Sequence, residues 1–197
     1  MPPVTQALLF ANIGVFALEY LLGLPLGAFA LWPLGDPGGR FLPWQMVTYS
    51  FLHGGELHLF VNMMALIVFG DPLERTFGSR RYFYFYIACV FTAALTHLIV
   101  TPLMGLPALP TVGASGGVFG LLLAFGMLYP RQRVMLLIPP IPMEARWLVL
   151  IYGAIELLFG VTGKMAGVAH FAHLGGMLGG FLMIQYYRSQ MGPRPRR

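Results

Sequence analysis

The feature that most constrains this chain is a succession of apolar runs, each close to the ~20 residues that carry an α-helix across a hydrocarbon core. The runs fall at about 5–28, 56–73, 82–103, 115–129, 145–161 and 168–187, and the stretches between them hold most of the prolines and charges. In lipid every backbone N–H and C=O must find a partner inside the protein, and a helix achieves this within one segment. The expected fold is therefore all-α: a polytopic bundle of six transmembrane helices forming one unit over residues 1–197. Composition supports this. Hydrophobic residues make up 57% and charged residues 10%, against roughly 25% charged in a soluble domain. Too few charges remain to cover a globule in water.

The formal net charge of +5 does not indicate nucleic acid. The basic residues sit in short clusters between apolar runs, with no aromatics interleaved on a polar face. They read as topology signals. With the C-terminus in the cytoplasm and the helices alternating, that side holds Arg75, Arg80, Arg81, Arg131, Arg133, Arg146, Arg188, Arg194, Arg196 and Arg197. The outer side holds Arg40 and Lys164. Ten against two is a positive-inside bias, and it places both ends inside. The N-terminus lacks a basic stretch and a small-residue cleavage site, so the first run is expected to be a retained helix. The 32–53 segment, with Trp32, Asp36, Arg40 and Trp44, reads as a membrane-interface loop. Cys89, the one cysteine, is read as a small buried residue.

Polar side chains in membrane helices are costly and call for a reason. His58 and Asn62 lie early in the second run and share a helix face. Ser115 begins the fourth run, within Gly113-Ala114-Ser115-Gly116. His173 lies about one turn into the sixth. The second, fourth and sixth runs enter from the same side, so all four residues sit at one depth. A serine at a helix N-terminus has unpaired backbone N–H groups beside it, which suit a developing oxyanion. His173, Gly176 and Gly180 share one face, and glycines allow two helix backbones to approach closely. If the partner is the fourth helix, through Gly116 and Gly120, His173 reaches Ser115 as a base.

These residues resemble the rhomboid intramembrane serine proteases. The resemblance rests on His58-Leu59-Phe60-Val61-Asn62, on Gly113-Ala114-Ser115-Gly116-Gly117-Val118-Phe119-Gly120, and on Ala172-His173-Leu174-Gly175-Gly176 with Gly180. Leu73-Glu74-Arg75 with Gly78 resembles the family's turn after the second helix. The resemblance implies Ser115 as nucleophile and His173 as general base. It implies an oxyanion hole of His58, Asn62 and the Ser115 N–H. It further implies a dyad without a third acidic member, no metal or organic cofactor, and substrates that are single-span membrane proteins in the bilayer. Two positions depart from the family. Gln45 follows Trp44 where arginine is usual, which bears on how the loop is anchored. Phe119 replaces the usual tyrosine, keeping a ring for His173 to stack on but losing a hydroxyl.

Other polar residues admit other readings. His170 shares a similar face with His173 and is the alternative base; the two lack a third metal ligand. His53 is read as interfacial and His97 as an interhelical hydrogen bond. Glu19 and Glu156 are read as isolated acids facing protein or an outer water cavity. A transporter using Glu19, Glu156 and His97 is one rival, disfavoured because the polar residues gather on one side. A non-catalytic relative that binds membrane helices is the other. The expected compartment is a prokaryotic inner membrane.

Overall fold

Each apolar run becomes a helix in the computed structural model, which describes residues 1–35, 38, 40–106, 109–135, 140–164 and 168–190. Asp36, Gly167, Arg194, Arg196 and Arg197 lie outside the described residues. Helix α1 spans Pro3–Leu22, α2 Glu56–Phe77, α3 Ser79–Leu103, α4 Ser115–Leu128, α5 Ala145–Thr162 and α6 His170–Gln190. The first helix ends six residues before the expected limit of 28. Gly23 turns into the left-handed region at φ 64° and donates its N–H to the Leu18 carbonyl, a turn open to glycine because it has no Cβ. Pro25 follows, and the chain continues as a single tight turn over Leu26–Phe29.

Within α2, the segment Leu66–Gly70 winds as a π-helix between α-helical Glu56–Ala65 and Asp71–Phe77. The connection before α5 is basic and proline-rich, with Arg131, Arg133, Pro140 and Pro142. It contains a small antiparallel hairpin in which β1 (Arg133–Met135) pairs with β2 (Pro142–Glu144), Arg133 facing Glu144.

Among the described residues four helices, α1, α2, α3 and α5, are long and apolar enough to cross a membrane. Helix α4 has 14 residues, and α6 has 21 but is interrupted by glycines and histidines. The reason is their position. Residues that face protein need not be large and apolar, and both helices bury small residues: Gly116, Gly117, Gly120 and Ala124 on α4, Gly175, Gly176, Gly179 and Gly180 on α6.

Those glycines set the packing. A Cβ at Gly176 would run into the Gly116 carbonyl, and one at Gly180 would stand 2.8 Å from the Gly120 oxygen. Across the other face of α6, a Cβ at Gly175 would lie 2.8 Å from the Thr92 carbonyl of α3. Helices α3, α4 and α6 thus meet backbone to backbone. Tyr82, Phe85, Tyr86, Cys89 and Val90 of α3 are wholly buried.

Two polar clusters fix the periphery. Glu74, buried near the end of α2, accepts hydrogen bonds from the N–H groups of Val4 (2.9 Å) and Thr5 (2.7 Å) and from the hydroxyls of Thr5 (2.8 Å) and Ser79 (2.6 Å). It ties the start of α1 to the turn between α2 and α3. In the 23–55 segment the fully buried Gln45 accepts from the Trp32 N–H (3.1 Å) and donates to the Ala28 and Arg40 carbonyls (both 2.9 Å). The Arg40 guanidinium lies 3.6 Å from the centre of the Trp32 ring. The amide at position 45 therefore anchors the loop by a route of its own.

Candidate active site

Ser115 opens α4 directly after a sharp bend. Gly113 has φ 126°, and its N–H donates to the Tyr49 carbonyl at 2.9 Å. The bend is tight against a neighbour as well as conformationally demanding. A Cβ on Gly113 would lie 2.8 Å from both Cε1 and Nε2 of His58, and 3.7 Å from Ser115 Oγ. Glycine is thus required twice over at this position. The first N–H groups of α4 have no partner inside the helix, and they begin at the serine.

His173 comes to the serine from α6. Its Nε2 is 2.8 Å from Ser115 Oγ. The Gly116/Gly176 contact one turn below brings the helices close enough for this distance. Phe119 stacks on the His173 imidazole, with ring centroids 4.2 Å apart and planes 5° from parallel. The phenyl ring therefore retains the stacking while lacking the hydroxyl. Of the two histidines on this face, His173 meets the serine and His170 does not; its Nδ1 instead bonds Glu156 Oε2 at 2.6 Å.

His58 flanks the same bend from α2. The Gly54 N–H donates to its Nδ1 at 3.3 Å, so the ring proton belongs on Nε2, the nitrogen that faces Gly113. Asn62 is placed less simply. Its Nδ2 donates to the His58 carbonyl one turn back, at 2.8 Å. One amide hydrogen is used on its own helix and the second remains.

His53 stands edge-on to His58, ring centroids 5.1 Å apart. Burial, and then the neighbouring His58, push its pKa down to about 4 against a smaller opposing pull from the Phe51 backbone. It is neutral at ordinary pH. His97 does not bridge two helices as expected. It bonds Thr101 on its own helix (3.1 Å) and Thr111 in the connection before α4 (2.9 Å). Glu19 is half-buried on α1.

Glu156 was read from sequence as an isolated acid, and the structure corrects that. It is buried on α5 with Oε2 2.6 Å from Nδ1 of His170 and 3.0 Å from Nδ1 of His173. The His170 contact is well aligned. The His173 contact is close, but its N–H points off the line. The signal available in the sequence was a lone carboxylate in an apolar helix, next to two histidines across a short connection.

A helical bundle with helices long and apolar enough to cross a membrane, and a serine–histidine contact at a helix N-terminus, marks an integral membrane protein. The chain belongs to the rhomboid family: residues 40–190 match the family model described as the Rhomboid domain. It is 30% identical to Rhomboid protein 1, mitochondrial, of Saccharomyces cerevisiae, over 94% of this chain and 56% of that one. It is 36% identical to RHOMBOID-like protein 4 of Arabidopsis thaliana, over 76% and 34%. It is 32% identical to Rhomboid protease GluP of Bacillus subtilis, over 70% and 25%. The chain thus spans between a quarter and just over half the length of these relatives.

Proposed function

We propose that this protein is an intramembrane serine endopeptidase that cleaves single-span membrane proteins near the outer end of their transmembrane segments. The observation that carries the reading is the 2.8 Å contact between His173 Nε2 and Ser115 Oγ. Family membership and the protease among the relatives support it. In this reading residues 1–197 form one catalytic unit with six spans, α4 and α6 included. Both ends face the cytoplasm of a prokaryotic inner membrane.

The chemistry follows from the geometry. His173 Nε2 takes the Ser115 Oγ proton as Oγ attacks the scissile carbonyl carbon. The oxyanion is held by the Ser115 N–H, the Nε2–H of His58 and the free amide hydrogen of Asn62. The intermediate collapses as the imidazolium gives its proton to the leaving amine, and an acyl-enzyme on Ser115 remains. Water, deprotonated by the same nitrogen, releases the acid and restores the serine. Ser115 is half-buried, which leaves it within reach of substrate and water.

The test is cleavage of a single-span substrate by detergent-purified protein. Ser115→Ala and His173→Ala are each expected to lower kcat by at least ~10³-fold. Cleavage by Ser115→Ala at the wild-type rate would overturn the reading. A wild type that neither cleaves nor labels with a fluorophosphonate would favour a helix-binding relative without catalysis.

A further inference from the structure

The pair Ser115–His173 is not isolated. His173 has a neighbour at three points: Nε2 is 2.8 Å from Ser115 Oγ, its ring face stacks on Phe119, and Nδ1 stands 3.0 Å from Glu156 Oε2, off the hydrogen-bond line. The first two come from α4, and the third from α5. Glu156 is 7% exposed in a helix whose only other charged residue is Arg146 near its start. A carboxylate buried there is retained only with partners, and both of its partners are Nδ1 atoms of α6.

We infer that Glu156 is a positioning residue for His173, making the working constellation Ser115–His173–Glu156 and not a bare dyad. This deepens the serine-protease reading above and rests on it. To take the serine proton, His173 must keep Nε2 unprotonated and carry its own hydrogen on Nδ1. A carboxylate oxygen beside Nδ1 selects that tautomer and stabilises the imidazolium formed during attack; the proton stays on the ring. His170 has a distinct part. Its Nδ1–H donates to the same oxygen at 2.6 Å in good alignment, and so fixes the carboxylate while the catalytic imidazole remains able to swing into line. Contacts that are off line in a resting site tighten when substrate binds.

Glu156→Gln keeps the shape and removes the charge. Measured on the substrate used for Ser115→Ala, it is expected to lower kcat at least tenfold with KM within about twofold. A purely structural role predicts wild-type kcat for this isosteric change, and that result would overturn the inference. The second measurement needs no variant. In ¹⁵N-histidine NMR of the wild-type protein, neutral His173 is expected as the Nδ1–H tautomer, and an Nε2–H tautomer would overturn the inference even if Glu156→Gln failed to fold. Unimpaired cleavage by Ser115→Ala would remove the protease reading itself, a result separate from any behaviour of Glu156.

Discussion

Helix α6 meets α4 and α5 in different ways. Against α4 it closes on backbone: Gly176 under the Gly116 carbonyl, Gly180 under that of Gly120. Against α5 it closes on flexible side chains. A Cβ at Gly153 of α5 would meet the Cε end of Met177 at 3.3 Å, and Gly160 faces the Phe171 ring at the same distance. The outer surface of α5 carries Trp147, Leu150, Leu157, Leu158 and Val161, residues suited to lipid. The first contact sets a distance between two atoms, and backbone cannot yield. The second has to deliver one carboxylate oxygen, and methionine and phenylalanine ends can adjust around it. Small residues build the close helix contacts of membrane proteins. Here they build the contact that brings Ser115 and His173 together, and on the other face of α6 its contact with α3.

The largest expected effect tests the rigid side. Gly176→Ala has no neighbouring side chain to displace, and should destabilise the protein by about 3 kcal/mol or more, read as a large fall in thermal midpoint in detergent together with lost cleavage. A wild-type midpoint would break the distinction drawn here. An intermediate effect is expected at Phe119, which stacks on His173 and also touches Tyr152 of α5, ring centroids 6.2 Å apart. Phe119→Leu removes an aromatic pair worth about 1 kcal/mol, so kcat should fall roughly five- to tenfold with KM little changed. A fall in KM-dependent binding alone would assign Phe119 to substrate and not to His173. The smallest effect belongs to Gly153→Ala on the adaptable side. Helical propensity gains about 0.5–1 kcal/mol and the Met177 end moves aside, so the midpoint should hold or rise slightly. A loss comparable to that of Gly176→Ala would show that α5 is as tightly set as α4.

Much of the architecture is legible in the residues. Six apolar runs became six helices. His58, Ser115 and His173 come together at the starts of α2, α4 and α6, the convergence expected of alternating runs, and the glycine faces of α4 and α6 foretell their contact. What escaped the sequence depended on partners. Nothing in the α5 pattern tells whether Glu156 faces lipid-side water or a buried histidine, since the deciding fact is the rotation of α5 against α6. How Gln45 anchors its loop could not be read from sequence because its three partners are backbone groups scattered over residues 28–40, and backbone groups leave no trace in a sequence. The hairpin at β1 and β2 was hidden for want of length, with three residues to a strand.

The π-helical turn at Leu66–Gly70 bears on how such a chain can change over generations. In an α-helix each residue added or removed turns everything beyond it by about 100°, and a π turn is the usual way of absorbing one extra residue. On one side of that turn, α2 brings the His58 ring against the bend at Gly113 that precedes the serine; on the other it presents Glu74 to the start of α1. Loss of one residue between 66 and 70 is taken up by the π turn closing to an α turn, so that the two halves of α2 keep their neighbours. Length can change by one in this stretch of α2 while kind is held: Leu66 is wholly buried, and a Cβ at Gly70 would meet the Tyr82 hydroxyl.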